Sequence, residues 1–340
     1  MKPTTQLPPR RRSMLLALAS LGLGAQAQAQ DVSAPATDPR LAGLVADLRQ
    51  RFGDLDAVVV RQAGRTLLAW YKTGAAPAEV LRDTQSVTKS VLSLLVGAAI
   101  ARGAITSVDQ PVAELLSGVL KPDDLGSQPG LRVRHLLTMT AGFALGRAPQ
   151  GGADDARYLM ARPVKAPPGA VFAYDNLAAN LLAIALAAAM KTPVADFARS
   201  ALFGPLGITA FEWATGANGY HFGSQGLQLR TADMARIGEL VLRGGAWAGA
   251  QLVPADYVRA ATSVHNAGGP PVGAPYGYLW WVDPAAPGGG EVYASGFGGQ
   301  TVWLHRGLDA VVAIHAPARG DVMSRGHAAG ALRAIAAKLR

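Results

Sequence analysis

The two ends of the chain read as strands and the middle reads as helices, and this division constrains the fold more than any other feature. Ala57-Val58-Val59-Val60-Arg61, a turn at Gln62-Ala63-Gly64-Arg65 and then Thr66-Leu67-Leu68-Ala69-Trp70-Tyr71 make the pattern of a β-hairpin with glycine in its turn. Extended patterns return only late, at Tyr276 to Val282, Glu291 to Ser295, Thr301 to His305 and Ala310 to His315. These runs are short, rich in β-branched and aromatic residues, and separated by Gly, Pro or Asp. Helical runs broken by loops lie between, at Val133 to Met139, Ala178 to Met190, Val194 to Leu202 and Thr231 to Arg243. An amphipathic helix at Leu41 to Arg51 precedes the hairpin, and Ala328 to Leu339 closes the chain as another helix. The expectation is an α+β fold: an antiparallel sheet built from both chain ends (41–80 and 270–340), flanked by helices, with a mainly helical region (81–269) inserted. No internal repeat interrupts this plan.

Of the 340 residues, 50% are hydrophobic and 16% charged, enough apolar surface for a large core. With no cysteine the chain has no disulfide, no thiolate chemistry and no cysteine-ligated metal, so packing must stabilise it. Residues 1–30 hold four basic residues and no acid, which leaves +5 of the formal +9 charge for the remainder. No Lys/Arg run and no basic-aromatic interleaving follows residue 12, so nucleic acid is not an expected partner. Arg10-Arg11-Arg12 leads into an apolar stretch too short to span a bilayer, then into Ala25-Gln26-Ala27-Gln28-Ala29. This reads as a cleaved export signal over 1–29, Sec or twin-arginine in type, followed by a flexible leader over 30–40. The mature domain over 41–340 is expected in a bacterial periplasm or outside the cell, with no transmembrane span.

Within the helical region, Thr84-Gln85-Ser86-Val87-Thr88-Lys89 sets a hydroxyl and an amine one helical turn apart. Side chains at i and i+3 share a face, which puts the Lys89 amine within reach of the Ser86 hydroxyl. A serine alcohol needs such activation to act as a nucleophile, and desolvation can turn a lysine into a usable base. Val87, Val91, Leu94, Leu95 and Ala98 continue as an apolar stripe, the mark of a core helix. The plain alternative is an N-cap serine followed by a snorkelling lysine.

Two further stretches supply what such a pair lacks. Pro167-Pro168-Gly169 through Tyr174-Asp175-Asn176 is a turn that delivers a phenol and an amide to the start of a helix. Tyr174 could relay protons beside a lysine, and Asn176 could grip a substrate carbonyl or hold Lys89. The alternative is a core tyrosine and a helix-cap asparagine. Tyr293-Ala294-Ser295-Gly296-Phe297-Gly298-Gly299 joins a strand end to a glycine cluster that lets backbone approach a ligand closely. If it faces Ser86, the Phe297 and Ser86 N–H groups could together hold an oxyanion. Otherwise it is a hairpin bend.

The order Ser86-x-x-Lys89, Tyr174-x-Asn176, Ala294-Ser295-Gly296 resembles the serine hydrolase family of class C β-lactamases, D-alanyl-D-alanine peptidases and related esterases. Leu131 to Gly142 and Leu229 to Gly238 resemble connecting segments of the same family, so the likeness runs from about residue 40 to the end. It implies the β-lactamase/transpeptidase fold, with Ser86 as nucleophile, Lys89 and Tyr174 as base and proton relay, Asn176, Ser295 and Gly296 as substrate contacts, and no cofactor. Where β-lactamases and transpeptidases of this kind carry Lys or His, this chain has Ala294, so the cation for a drug's carboxylate is missing. That departure favours neutral small-molecule or short-peptide esters and amides. Tyr276 to Trp281 followed by Ala294 to Gln300 looks most like the branch of aminohexanoate-oligomer hydrolases and carboxylesterases, with the Trp280-Trp281 pair either walling an acyl pocket or packing the core.

Other chemistries find little footing. The histidines at 135, 221, 265, 305, 315 and 327 form no His-Glu-x-x-His and no close pair, so no metal site is expected. No Gly-x-Ser-x-Gly, Walker or Gly-x-Gly-x-x-Gly pattern occurs, and the adjacent acids Asp123-Asp124 and Asp154-Asp155 sit in loop-like settings. Two competing functions remain: a β-lactamase or D-alanyl-D-alanine peptidase, and a catalytically silent periplasmic protein whose cleft binds peptides or cell-wall fragments.

Overall fold

Residues that alternate in side-chain direction along a strand can bury both faces of a sheet only if a further layer covers each side. The computed structural model describes residues 38–52, 55–72, 78–125, 128–146, 155–285, 290–318 and 325–340. The export signal expected over 1–29 lies outside these residues, as does the leader up to residue 37. The main sheet takes β1 (Ala57–Gln62) and β2 (Arg65–Tyr71) from the front of the chain. From the back it takes β3 (Asn266–Gly269), β4 (Ala274–Tyr276), β5 (Trp281–Asp283), β6 (Glu291–Ser295), β7 (Thr301–His305) and β8 (Ala310–His315). The order is β2-β1-β8-β7-β6-β5-β4-β3, antiparallel throughout. The two chain ends meet where β1 pairs with β8, Ala57 opposite His315 and Gln62 opposite Ala310.

Both faces are covered. Val58, Val60, Trp303, Val312 and Ile314 pack with Leu44 and Leu48 of α1 (Leu44–Phe52) and with Ile335 and Leu339 of the closing helix Arg325–Leu339. Their neighbours Val59, Val302, Leu304, Val311 and Ala313 face the larger core on the other side. That core contains α2 (Val87–Ala101), the short α3 (Val133–Leu137), α4 (Asn176–Met190) and α5 (Thr231–Leu242). Helix α5 lies close on the sheet at Gly238, where a Cβ would come within 2.6 Å of Val311 Cγ1. Helix α2 differs from the expected stripe: Val87 through Ala99 are all buried, because α4, the helix Ala255–Ala261, the turn Arg199–Phe203 and the sheet all pack against it.

The hairpin and the strands Glu291–Ser295, Thr301–His305 and Ala310–His315 lie where the sequence pattern puts them. The continuous strand expected over Tyr276 to Val282 does not form. It breaks between β4 and β5, where Tyr278 N donates to Ala261 O, Leu279 N donates to Leu137 O, and Leu279 takes φ 60°. The helical region claims these backbone groups, so they never join the ladder. The expected helix over Val194 to Leu202 is α-helical over Val194–Ala198 and then opens into a π turn, Arg199–Phe203.

Where β8 ends, His315 is fully buried, its Nδ1 2.9 Å from Thr231 Oγ1. Burial, with the nearby Arg82 guanidinium acting in the same direction, pushes its imidazole down to about 3. The unfolded imidazole titrates near its ordinary value of about 6.5, so between those values the unfolded state binds a proton that the folded state does not. Stability therefore falls as pH drops through this window, by about 2 kcal/mol between pH 7 and pH 5. Urea midpoints at the two pH values should show this slope, and His315→Gln should flatten it.

Candidate active site

Ser86 stands at the N-cap of α2, a position where a serine normally turns its hydroxyl back to a backbone N–H. Here it makes no cap hydrogen bond and is itself in a helical conformation. Its hydroxyl is engaged by Lys89, whose Nζ donates to Ser86 Oγ at 2.9 Å and to the Ser224 carbonyl at 2.8 Å. Lys89 is 1% exposed, so the snorkelling alternative is excluded. Gln85 precedes the serine at φ 51°, a left-handed conformation uncommon outside glycine. Asp83 stabilises this elbow by accepting from both the backbone and side-chain nitrogens of Gln85, and Thr88 Oγ1 donates to the Gln85 carbonyl.

Tyr174 completes the group. Lys89 Nζ lies 4.9 Å from the centroid of its ring. The half-buried ring stacks on Trp281 at 5.8 Å between centroids; Tyr276 meets both rings edge-on, and Phe172 meets Trp281 edge-on. The Trp pair is thus core: Trp280 is fully buried and Trp281 buttresses the tyrosine. Burial holds the Tyr276 phenol well above its ordinary range. The loop carrying Tyr174 is tied down by the turn after α3, where Ala173 N donates to the Met139 carbonyl and Gly169 N to that of Thr140. Ser90 Oγ donates to the Leu279 carbonyl and so fixes the segment between Tyr276 and Trp281 against α2.

The strand end after Ala294 also arrives. A Cβ on Gly296 would meet the Thr84 carbonyl at 2.6 Å and Gln85 Cβ at 2.9 Å, so the start of the Phe297 turn lies directly against the elbow before Ser86. Among the described residues, neither the Ser86 nor the Phe297 N–H donates to a backbone carbonyl. The turn is anchored by the buried Gln300, whose Nε2 donates to the Phe297 and Ala316 carbonyls. Phe297 itself is 50% exposed and Ser295 half-buried, while Ala294 is buried in β6 and brings no charge. Asn176 begins α4 with its side chain exposed. Lys89 also has the Ser224 carbonyl as an acceptor, a partner the sequence did not suggest. Among the described residues no cluster of metal-ligating side chains occurs.

Gly296→Ala should push β6 away from the elbow by a large fraction of an ångström. Misplacements of that size cost about 100-fold in rate. Steady-state kinetics should show this loss in kcat/KM, alongside the stability loss of about 1 to 3 kcal/mol that overpacking against backbone brings.

Fold and site together define a β-lactamase-related serine hydrolase. A profile of the Beta-lactamase family matches residues 41–337, and the chain belongs to that family. Among solved structures it is similar to a protein from Bacillus anthracis assigned as a 6-aminohexanoate-dimer hydrolase, with 18% identity, TM-score 0.73, and 86% of this chain and 81% of that one covered. A penicillin-binding protein homologue from Caulobacter crescentus aligns at 16% identity and TM-score 0.73, over 90% of this chain and 99% of its own. A β-lactamase from Mycobacterium bovis gives 18% and 0.65, over 87% and 99%. These likenesses bear on fold. No curated protein matches the chain.

Proposed function

We propose that this chain is an exported serine hydrolase that opens a neutral ester or amide through an acyl-enzyme on Ser86. The observation that carries the reading is the Ser86 hydroxyl held at 2.9 Å by a fully buried lysine in place of a helix-capping bond. Ser86 Oγ attacks the substrate carbonyl while its proton passes to the unprotonated Lys89 amine. The tetrahedral oxyanion sits on the N–H groups of Ser86 and Phe297, and α2 contributes the positive end of its dipole. The proton then moves by way of the Tyr174 phenol to the leaving oxygen or nitrogen, the carbonyl–leaving-group bond breaks, and the acyl group stays on Oγ. Water, deprotonated by the same pair, attacks the ester and frees Ser86. Ser295, Gly296 and the exposed Asn176 border the substrate.

Ala294 directs the choice of substrate: with a buried methyl where a cation would meet a carboxylate, uncharged acyl groups are favoured over penicillin-like acids. The test is a panel of p-nitrophenyl esters, p-nitroanilides and nitrocefin, with fluorophosphonate labelling located by mass spectrometry. Ester or anilide turnover with the label on Ser86 is expected. Nitrocefin as the best substrate would replace the proposal with a β-lactamase, and a folded protein that takes no label anywhere would point to a silent binding protein.

A further inference from the structure

Helix α4 carries a run of apolar residues, Leu177 to Leu186, broken by a single amide side chain at Asn180. Asn180 is 6% exposed, and burying an amide among aliphatic residues is unfavourable unless its hydrogen bonds are met. Its Oδ1 accepts from two consecutive backbone groups, Gly223 N and Ser224 N, each at 3.0 Å. The carbonyl of that same Ser224 takes the Lys89 ammonium or amine at 2.8 Å. Gly223 makes the close approach possible: a Cβ there would lie 2.1 Å from the Ala179 carbonyl and 2.8 Å from Leu92 Cδ2. One side of the segment is thus clamped to α4, and its other side presents a carbonyl to the lysine.

We infer that Asn180 is a positioning residue for Lys89, acting through the Gly223–Ser224 backbone to fix the acceptor that holds the amine beside Ser86. The inference rests on the hydrolase reading for its kinetic consequences, but the placement of the lysine is measurable without it. Among the groups facing the amine are the Ser86 hydroxyl from α2, the Ser224 carbonyl from the segment before residue 227, and the Tyr174 ring from the loop before α4. A carbonyl acceptor favours the charged ammonium over the neutral amine. Freeing the Ser224 carbonyl should therefore lower the pH at which Lys89 loses its proton, and adding a carboxylate behind it should raise that pH.

Asn180→Leu removes the acceptor. Asn180→Asp keeps both backbone hydrogen bonds while bringing a negative charge. For Asn180→Leu, kcat/KM should fall about 10- to 100-fold with KM little changed, as expected of a misplaced base. The acid limb of the pH profile should move down in Asn180→Leu and up in Asn180→Asp, each by about one unit. Gly223→Ala, which displaces the segment with Asn180 intact, should behave like Asn180→Leu. A direct readout accompanies the kinetics: NMR titration of the Lys89 side chain, assigned by the resonance missing from Lys89→Met, should show the same opposite shifts. Identical titration of Lys89 in the parent, Asn180→Leu and Asn180→Asp would overturn the inference and leave Asn180 a core residue only. If the parent hydrolyses nothing while the NMR shifts appear, the hydrolase reading fails and the positioning role stands.

Discussion

Ser86→Ala is expected to lower kcat/KM for any ester the parent cleaves by about 10³- to 10⁶-fold while leaving the melting temperature nearly unchanged. Both halves of this result come from the same geometry. The other hydroxyls of α2 are buried and engaged elsewhere: Thr88 Oγ1 donates to the Gln85 carbonyl, Ser90 Oγ donates to the Leu279 carbonyl, and Ser93 Oγ lies 3.3 Å from the Tyr257 hydroxyl. The folded state loses little, because the Ser86 side chain makes no cap hydrogen bond and Lys89 retains the Ser224 carbonyl. A serine serving as an ordinary N-cap would give the reverse pattern, a loss of about 1 kcal/mol in stability and no kinetic effect. Initial rates on a p-nitrophenyl ester, fluorophosphonate labelling and a thermal melt, all on the same preparations, separate the two. Undiminished turnover in Ser86→Ala would remove Ser86 from the chemistry.

What the sequence foretold about this site, and what it did not, follows from how local each signal is. The Ser86–Lys89 contact depends only on helical periodicity, so spacing within four residues was enough to draw it. The strands Glu291–Ser295 and Ala310–His315 could likewise be read off residue by residue, because their β-branched runs are bounded by turn residues at both ends. The break inside Tyr276 to Val282 could not be read that way. Its residues are apolar and aromatic whether they pair in a sheet or dock on helices, and the choice is made by partners at Leu137 and Ala261, more than a hundred and some fifteen residues away. The Ser224 carbonyl left no trace at all, since any residue type can offer its backbone oxygen to a lysine. Asn180 did leave one: a lone amide inside an aliphatic helix is a buried polar group in need of an explanation, and the explanation turns out to lie beside the candidate base. Glycine permits close approach at two points around the site, Gly223 against α4 and Gly296 against the Ser86 elbow.

The largest expected effect on stability lies one residue from the proposed proton relay. Asp175 accepts from Leu177 N as the cap of α4 and pairs with Arg162, Nη1 to Oδ2 at 2.7 Å, with both side chains almost wholly buried. The Arg162 guanidinium also lies 4.3 Å over the Phe143 ring, and its Nε donates to the Leu159 carbonyl. Removing one partner of such a pair leaves the other charge buried without compensation, at a cost of about 3 to 5 kcal/mol. Asp175→Ala should lose that amount together with about 1 kcal/mol for the cap, whereas Asp175→Asn keeps an acceptor for Leu177 N and should lose only the ionic part. Because the cost comes from the stranded charge, Asp175→Asn combined with Arg162→Met should be more stable than Asp175→Asn alone. Denaturant midpoints of the four proteins would establish this order. A double variant no more stable than the single one would mean that the pair acts by shaping the loop and not by mutual compensation. Kinetics on the folded fraction then ask whether the pair also orients Tyr174, whose backbone joins Asp175 directly. A fall in kcat beyond the unfolded population would tie the buried charges to proton transfer at Lys89.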